Sequence, residues 1–216
     1  MRSRIITTLM LAVLGAGGAT CALAQEAAEA TATLEEVVVT AQKREESLQR
    51  VPVSVTAMTS TQLGEMKMDS PSAIATQVPN LQVNGIVGEG SPLFSLRGIS
   101  MFDYSLSQEG PVASYVDEVY KGNFVIFGVE MFDLERVEVL RGPQGTLYGK
   151  NTTGGAINLI SARPVMGDTG YLRLGIGNYA RREAEGAINV RLGETMAARI
   201  AFTAARADGW FRNRLP

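Results

Sequence analysis

Val137 to Ile160, VEVLRGPQGTLYGKNTTGGAINLI, limits the fold more than any other part of this chain. Val137, Val139 and Leu140 open it as a short strand, Arg141-Gly142-Pro143 breaks that strand, and a glycine-rich passage leads to a second apolar run, Ala156 to Ile160. The pattern predicts a strand, a bend and a returning strand. Gly142, Gly145, Gly149, Gly154 and Gly155 allow positive φ and close packing, so the passage reads as shaped surface rather than linker. Lys150 beside these glycines suggests a phosphate loop, but the spacing refuses it. Gln144 stands where the first glycine belongs, and Asn151 follows the lysine.

Composition removes several classes of chemistry. There is no histidine and one cysteine, Cys21, so Ser-His-Asp and Cys-His catalysis and histidine metal sites are excluded. No cofactor, metal or enzyme activity is expected, although composition leaves open an enzyme using only Asp, Glu, Lys or Tyr. Met66 and Met68 read as packing residues. The formal charge is -2, and removing the first 24 residues takes away Arg2 and Arg4 and no acid, giving -4. Nucleic acid is therefore an unfavoured partner.

Residues 1–24 have the form of a secretory signal peptide: Arg2 and Arg4, an apolar run from Ile5 to about Leu14, then Ala22-Leu23-Ala24 as the cleavage site. Residues 25–50 are expected to be a flexible segment. Within it Glu36-Val37-Val38-Val39-Thr40 favours an exposed strand that a partner can add to a sheet, or an ordinary first strand. Residues 51–164 read as an α+β unit. VPVSVTA, Val51 to Ala57, is a strand; Ser60 or Thr61 caps a helix to about Met66; Pro71 begins another that ends at Pro79. Leu81 to Val83, Leu93 to Leu96 and Tyr115 to Val119 are further strands. Arg97-Gly98 breaks one strand as Arg141-Gly142 breaks another. A buried guanidinium needs carboxylates, so the two arginines are either paired across an interface or on the surface. Residues 165–216 alternate: Leu172, Leu174 and Ile176, then Ala184 to Leu192, then Ala198 to Ala204, each against polar neighbours. Such strands suit a transmembrane barrel or a soluble antiparallel sheet. Gly175 to Ala180 satisfies a dinucleotide-binding spacing, but the period of two that follows argues against the required helix.

The run ERVEVLRGPQGTLYG with TGGAIN closely resembles the signature of TonB-dependent outer-membrane receptors. SLRGIS at Ser95, YVDEVY at Tyr115 and EEVVVTAQKRE at Glu35 follow the same order. The resemblance implies a small mixed-sheet plug domain with short helices, followed by the first antiparallel strands of a transmembrane β-barrel left incomplete in this chain. It implies that Glu36 to Thr40 is the TonB box, captured by the periplasmic energy transducer TonB, and that Arg97 and Arg141 pair with glutamates of the barrel wall. Phe102, Tyr104, Lys121 and Asn123 would lie on apex loops facing the ligand, and Gly98 joins the structural glycines. The implied activity is import of iron chelates or other scarce solutes across the outer membrane. Lipid would be a second partner. Barrels of the family have about 22 strands and lipid admits only closed ones, so this chain alone is expected not to form a pore. It would be the front of a longer receptor or a truncated product, and a free periplasmic ligand-binding or sensing module is the alternative.

Overall fold

The computed structural model describes residues 36–85, 91–102, 105, 108–123 and 131–209. The expected signal peptide, most of the flexible tail and Tyr104 lie outside them. At the centre is a five-stranded sheet built from β3 (Val55–Thr59), β6 (Val112–Val116), β7 (Val119–Tyr120), β8 (Leu134–Arg141) and β9 (Gly155–Ser161), in the order β3-β8-β9-β6-β7. All neighbours are antiparallel except β6 and β9. The strand, bend and return expected over 137–160 is the β8–β9 pair, with Leu140 opposite Ala156 and Val137 opposite Leu159.

Alternation along these strands sends side chains to two buried faces. On one, Met58, Val137, Val139, Ile157 and Leu159 pack with Leu63, Ile74, Val78, Leu81, Phe94 and Leu96. These come from α1 (Ser60–Glu65), α2 (Pro71–Gln77) and the hairpin of β4 (Leu81–Gly85) and β5 (Pro92–Leu96). Each fully buried aliphatic side chain stabilises the fold by roughly 1.5–3 kcal/mol. Helix starts follow their caps. Thr59 rather than Ser60 or Thr61 caps α1, in a reciprocal capping box with Gln62, and Ser70 accepts from the Ala73 amide ahead of Pro71.

Three local expectations are corrected. The first strand of the central sheet starts at Val55, because Pro52 disrupts residues 51–54, although Val51 and Val53 still pack inward. The strand expected over Tyr115–Val119 instead turns back at Asp117-Glu118, whose φ values of 47° and 67° make a two-residue hairpin turn without glycine. Between β8 and β9 lies a short helix, α3 (Gly145–Tyr148), so Gly145 starts a helical turn and has open space where its Cβ would stand. Gly155, by contrast, has φ 152°, and an added Cβ would lie 2.2 Å from the Leu140 carbonyl oxygen. Gly154 packs on Val112 and Ile99, while Gly98, Gly142 and Gly149 take positive φ.

Residues 169–206 form a separate antiparallel sheet, β10 (Thr169–Ile176), β11 (Arg182–Arg191) and β12 (Ala197–Arg206). Its outer rows carry Leu172, Leu174, Ile176, Ile188, Ile200 and Phe202, all exposed. Its other face is polar and docks on the plug-like unit. Asp133 accepts from Arg199 Nε at 2.7 Å and from the Tyr171 hydroxyl at 3.3 Å, and Asn189, 1% exposed, bonds the Val165 amide and the carbonyls of Val165 and Gly167. Gly175 to Ala180 closes the β10–β11 hairpin, and a strand rather than a helix follows. Among the described residues no helix is long and apolar enough to cross a membrane.

Candidate functional site

The second face of the central sheet is covered by the N-terminal segment. β1 (Val38–Val39) pairs with β2 (Glu46–Ser47), and the turn between them is closed by a bond from the Lys43 amide to the Thr40 carbonyl at 2.8 Å. Val39 is 0% and Ala41 1% exposed, packed with Ala113, Tyr115, Leu140 and Ala156. This corrects the expectation of an exposed edge strand without apolar neighbours. Its neighbours are distant in sequence, on β6, β8 and β9, and only folding brings them beneath it.

Polar bonds finish the attachment. Glu138 alternates with Val137 and Val139 and therefore points to this face, where it is 0% exposed. Its Oε1 accepts from the Thr40 amide at 2.7 Å, the Thr40 hydroxyl at 3.2 Å and Arg136 Nε at 2.8 Å. Arg136 also reaches Glu135 and Thr40 Oγ1. A buried carboxylate is tolerated here because it is paired and multiply hydrogen-bonded. From α3, the Tyr148 hydroxyl donates to the Ala41 carbonyl at 3.1 Å and accepts from Asn158 Nδ2 at 2.9 Å. Burial pushes this phenol up to about 12, partly offset by the Asn158 bond, so it remains a donor through the physiological range. Glu138, Arg136 and Tyr148 were missed from sequence as site residues. The alternation VEVL is the signal that could have found Glu138, a carboxylate inside an apolar strand.

Val37 is half-buried, Val38 is 42% exposed and Glu36 is exposed, so the five residues of the segment are not equally available. Their attachment totals two ladder pairs and a few side-chain bonds, far less than the β8–β9 ladder.

Arg97 and Arg141 converge. Arg97, exposed and at φ 53°, brings Nη1 within 3.5 Å of where a Cβ on Gly142 would stand, next to Arg141. Arg141 is half-buried and its Nε has no hydrogen-bond partner. No ion pair joins either to a carboxylate among the described residues. At the apex, Phe102 is 88% exposed, and Met101 and Lys121 line one small cleft. Asn123 is exposed at the end of the same loop. Sequence reasoning missed the cluster that joins these loops: Lys150 pairs with Glu109 at 2.8 Å, and Asn151 bonds both Glu109 and the Tyr120 hydroxyl. Lys150 and Asn151 hold the Glu109 carboxyl below its ordinary range.

Among the described residues there is no cluster of His, Cys, Asp and Glu fit to hold a metal.

The chain is 29% identical over 158 residues to a vitamin B12 transporter, BtuB, of Vibrio vulnificus, covering 73% of this chain and 25% of that protein. It is 32% identical over 146 residues to the pesticin receptor of Yersinia pestis, covering 66% of this chain and 21% of the receptor. It thus spans about a quarter or less of the length of these relatives, which are receptors and transporters, not enzymes. Solved structures show the same fold. The ferric yersiniabactin uptake receptor FyuA of Yersinia pestis superposes with a TM-score of 0.61 at 24% identity, over 70% of this chain and 24% of that one. The alcaligin outer-membrane receptor FauA of Bordetella pertussis gives 0.63 at 19% identity, over 79% of this chain and 29% of that one. The family model described as the TonB-dependent receptor plug domain matches residues 47–156, more than half of the chain, and with this fold around it the chain belongs to the TonB-dependent receptors.

Proposed function

We propose that the chain is the plug-bearing part of an energy-coupled outer-membrane importer, and that Glu36 to Thr40 is the segment captured by TonB. The observation that carries this is the attachment of Val37 to Ala41: a two-residue strand held by Glu138 and Tyr148. Such a segment detaches without dismantling the core behind it. In this reading TonB takes over the main-chain bonds of β1, tension passes to β3 at the edge of the sheet, and the lumen opens past the plug. Transport needs no chemical step on the substrate, which is an iron chelate or another scarce solute, as the relatives' names suggest. The outward Leu172, Leu174 and Ile200 face lipid, and the N-terminus is periplasmic after signal-peptide cleavage. Arg97 and Arg141 find glutamates on the barrel wall, and Phe102, Tyr104, Lys121 and Asn123 lie toward the substrate. Exposure of the β10–β12 outer rows argues against a free soluble module.

The test is Val38→Pro in a receptor that carries this chain. Proline removes a donor from the strand, so uptake is lost while substrate still binds at the cell surface. Val38→Ala keeps the donor and keeps uptake. Normal uptake by Val38→Pro would overturn the assignment, and loss of surface binding as well would point to a folding defect instead.

A further inference from the structure

A cavity of about 430 Å³ lies on the same side of the central sheet as the N-terminal segment. Thr40 and Lys43 supply one wall, the turn residues Asp117 and Glu118 another, and Ser161 to Pro164 a third. Tyr115 and Tyr148, which meet edge to face at 5.2 Å, also line it, and Lys43 Nζ stands 5.6 Å from the Tyr148 ring centroid. Asn158 lines it too, at 7% exposure, with Oδ1 lacking any hydrogen-bond partner among the described residues.

The charges are balanced. Arg136 borders the cavity but is already held by Glu135 and Glu138, and one Asp117 oxygen accepts from the Ser161 amide at 2.8 Å, which leaves Lys43 and Arg163 against Glu118 and the second Asp117 oxygen. A pure anion or a pure cation would leave one pair opposed by its own sign. A ligand carrying both signs satisfies both pairs, and two tyrosine rings favour an aromatic body. The volume lies within the range of small-molecule sites.

We infer that this cavity binds an aromatic zwitterion of the amino-acid class, and that its occupation holds the N-terminal segment on the plug. Thr40 and Lys43 are part of the wall, so the site is complete only while the segment is docked. A ligand that binds only the docked state stabilises it by mass action, and the segment's release expels the ligand to the same extent. The regulatory half of this inference rests on the reading of Glu36 to Thr40 as the pulled segment; the binding half does not.

The experiment uses the full chain in detergent, with L-phenylalanine as probe, titrated by calorimetry, and amide exchange over residues 37–43 followed by mass spectrometry. Saturable binding is expected, at least tenfold weaker for phenethylamine and for 3-phenylpropionate, each of which lacks one charge. Lys43→Gln and Glu118→Gln, both at exposed positions, should each weaken L-phenylalanine about tenfold, the scale of one charge-assisted bond. Saturating ligand should slow exchange of the Thr40 amide severalfold. Absence of saturable binding up to ~10 mM, or equal binding of all three compounds, overturns the site. Binding that leaves Thr40 exchange unchanged overturns the clamp. None of these readouts involves TonB or uptake, so failure here is separate from failure of the coupling assignment.

Discussion

The central sheet and the β10–β12 sheet use the same alternation of side chains toward opposite ends. In β8 and β9 the apolar rows meet other protein, and Val137, Val139, Ile157 and Leu159 are 0% exposed. In β10 the equivalent rows point away from it, with Leu174 at 75% and Ile176 at 94%. Alternation therefore says that a strand has two different faces and leaves open which one is the inside. The polar residues answer that question. Arg199 and Tyr171 reach Asp133, Arg181 reaches Asp69, and Asn189 holds the linker, so in β10–β12 the polar face is the one that meets the plug.

The contrast can be broken at several points. Leu159→Ala should destabilise the chain by about 3 kcal/mol in a denaturant titration, whereas Ile176→Ala in the same assay should stay within about 0.5 kcal/mol. Equal costs would mean that the two sheets are not opposites. Leu174→Arg should lower partitioning into lipid vesicles by an amount equivalent to about 2–3 kcal/mol, with little effect on the central sheet's own unfolding. Thr40→Val removes a hydroxyl that bonds Glu138 and Arg136, and should loosen the segment by about 1 kcal/mol, seen as faster amide exchange at residues 37–41 with the β8–β9 amides unchanged. The smallest effect concerns Tyr148. Its folded-state phenol lies near 12 against an ordinary 10.0, so the docking it supports is complete below pH 10 and is lost as pH rises through 12. Absorbance titration of a Tyr148→Phe variant should lack that late-titrating phenol.

Much of the fold is legible in the sequence where the physics is local. Ser70-Pro71 and the alternation of residues 169–206 each announce their element within a few positions, whereas the cap of α1 lies at Thr59, one residue before the positions read from sequence. The glycine-rich bend between two apolar runs likewise makes an antiparallel return. What was hidden depends on distant partners. Nothing near Val39 shows that Leu140 and Ala156 will cover it, and the bond from Thr40 to Glu138 spans 98 positions. Asp117 and Glu118 conceal their turn because neither is the glycine or asparagine that usually marks positive φ. Of the candidate site, the strand character of Val38 and Val39 was legible, but the carboxylate and phenol that hold the segment were not.

The parallel pairing of β6 with β9 has a consequence for how the chain comes to exist. β9 fills the gap between β8, its immediate predecessor, and β6, some forty residues earlier, so the sheet lacks its middle until Gly155 to Ser161 have been made. A chain emerging from its N-terminus would have β3 and β8 able to pair with each other, but nothing to join them to β6 and β7. Their apolar faces would be bare for as long as export takes to deliver the last strand, and contacts of such long sequence separation form slowly even then. The central sheet is therefore completed only after residue 161 has arrived.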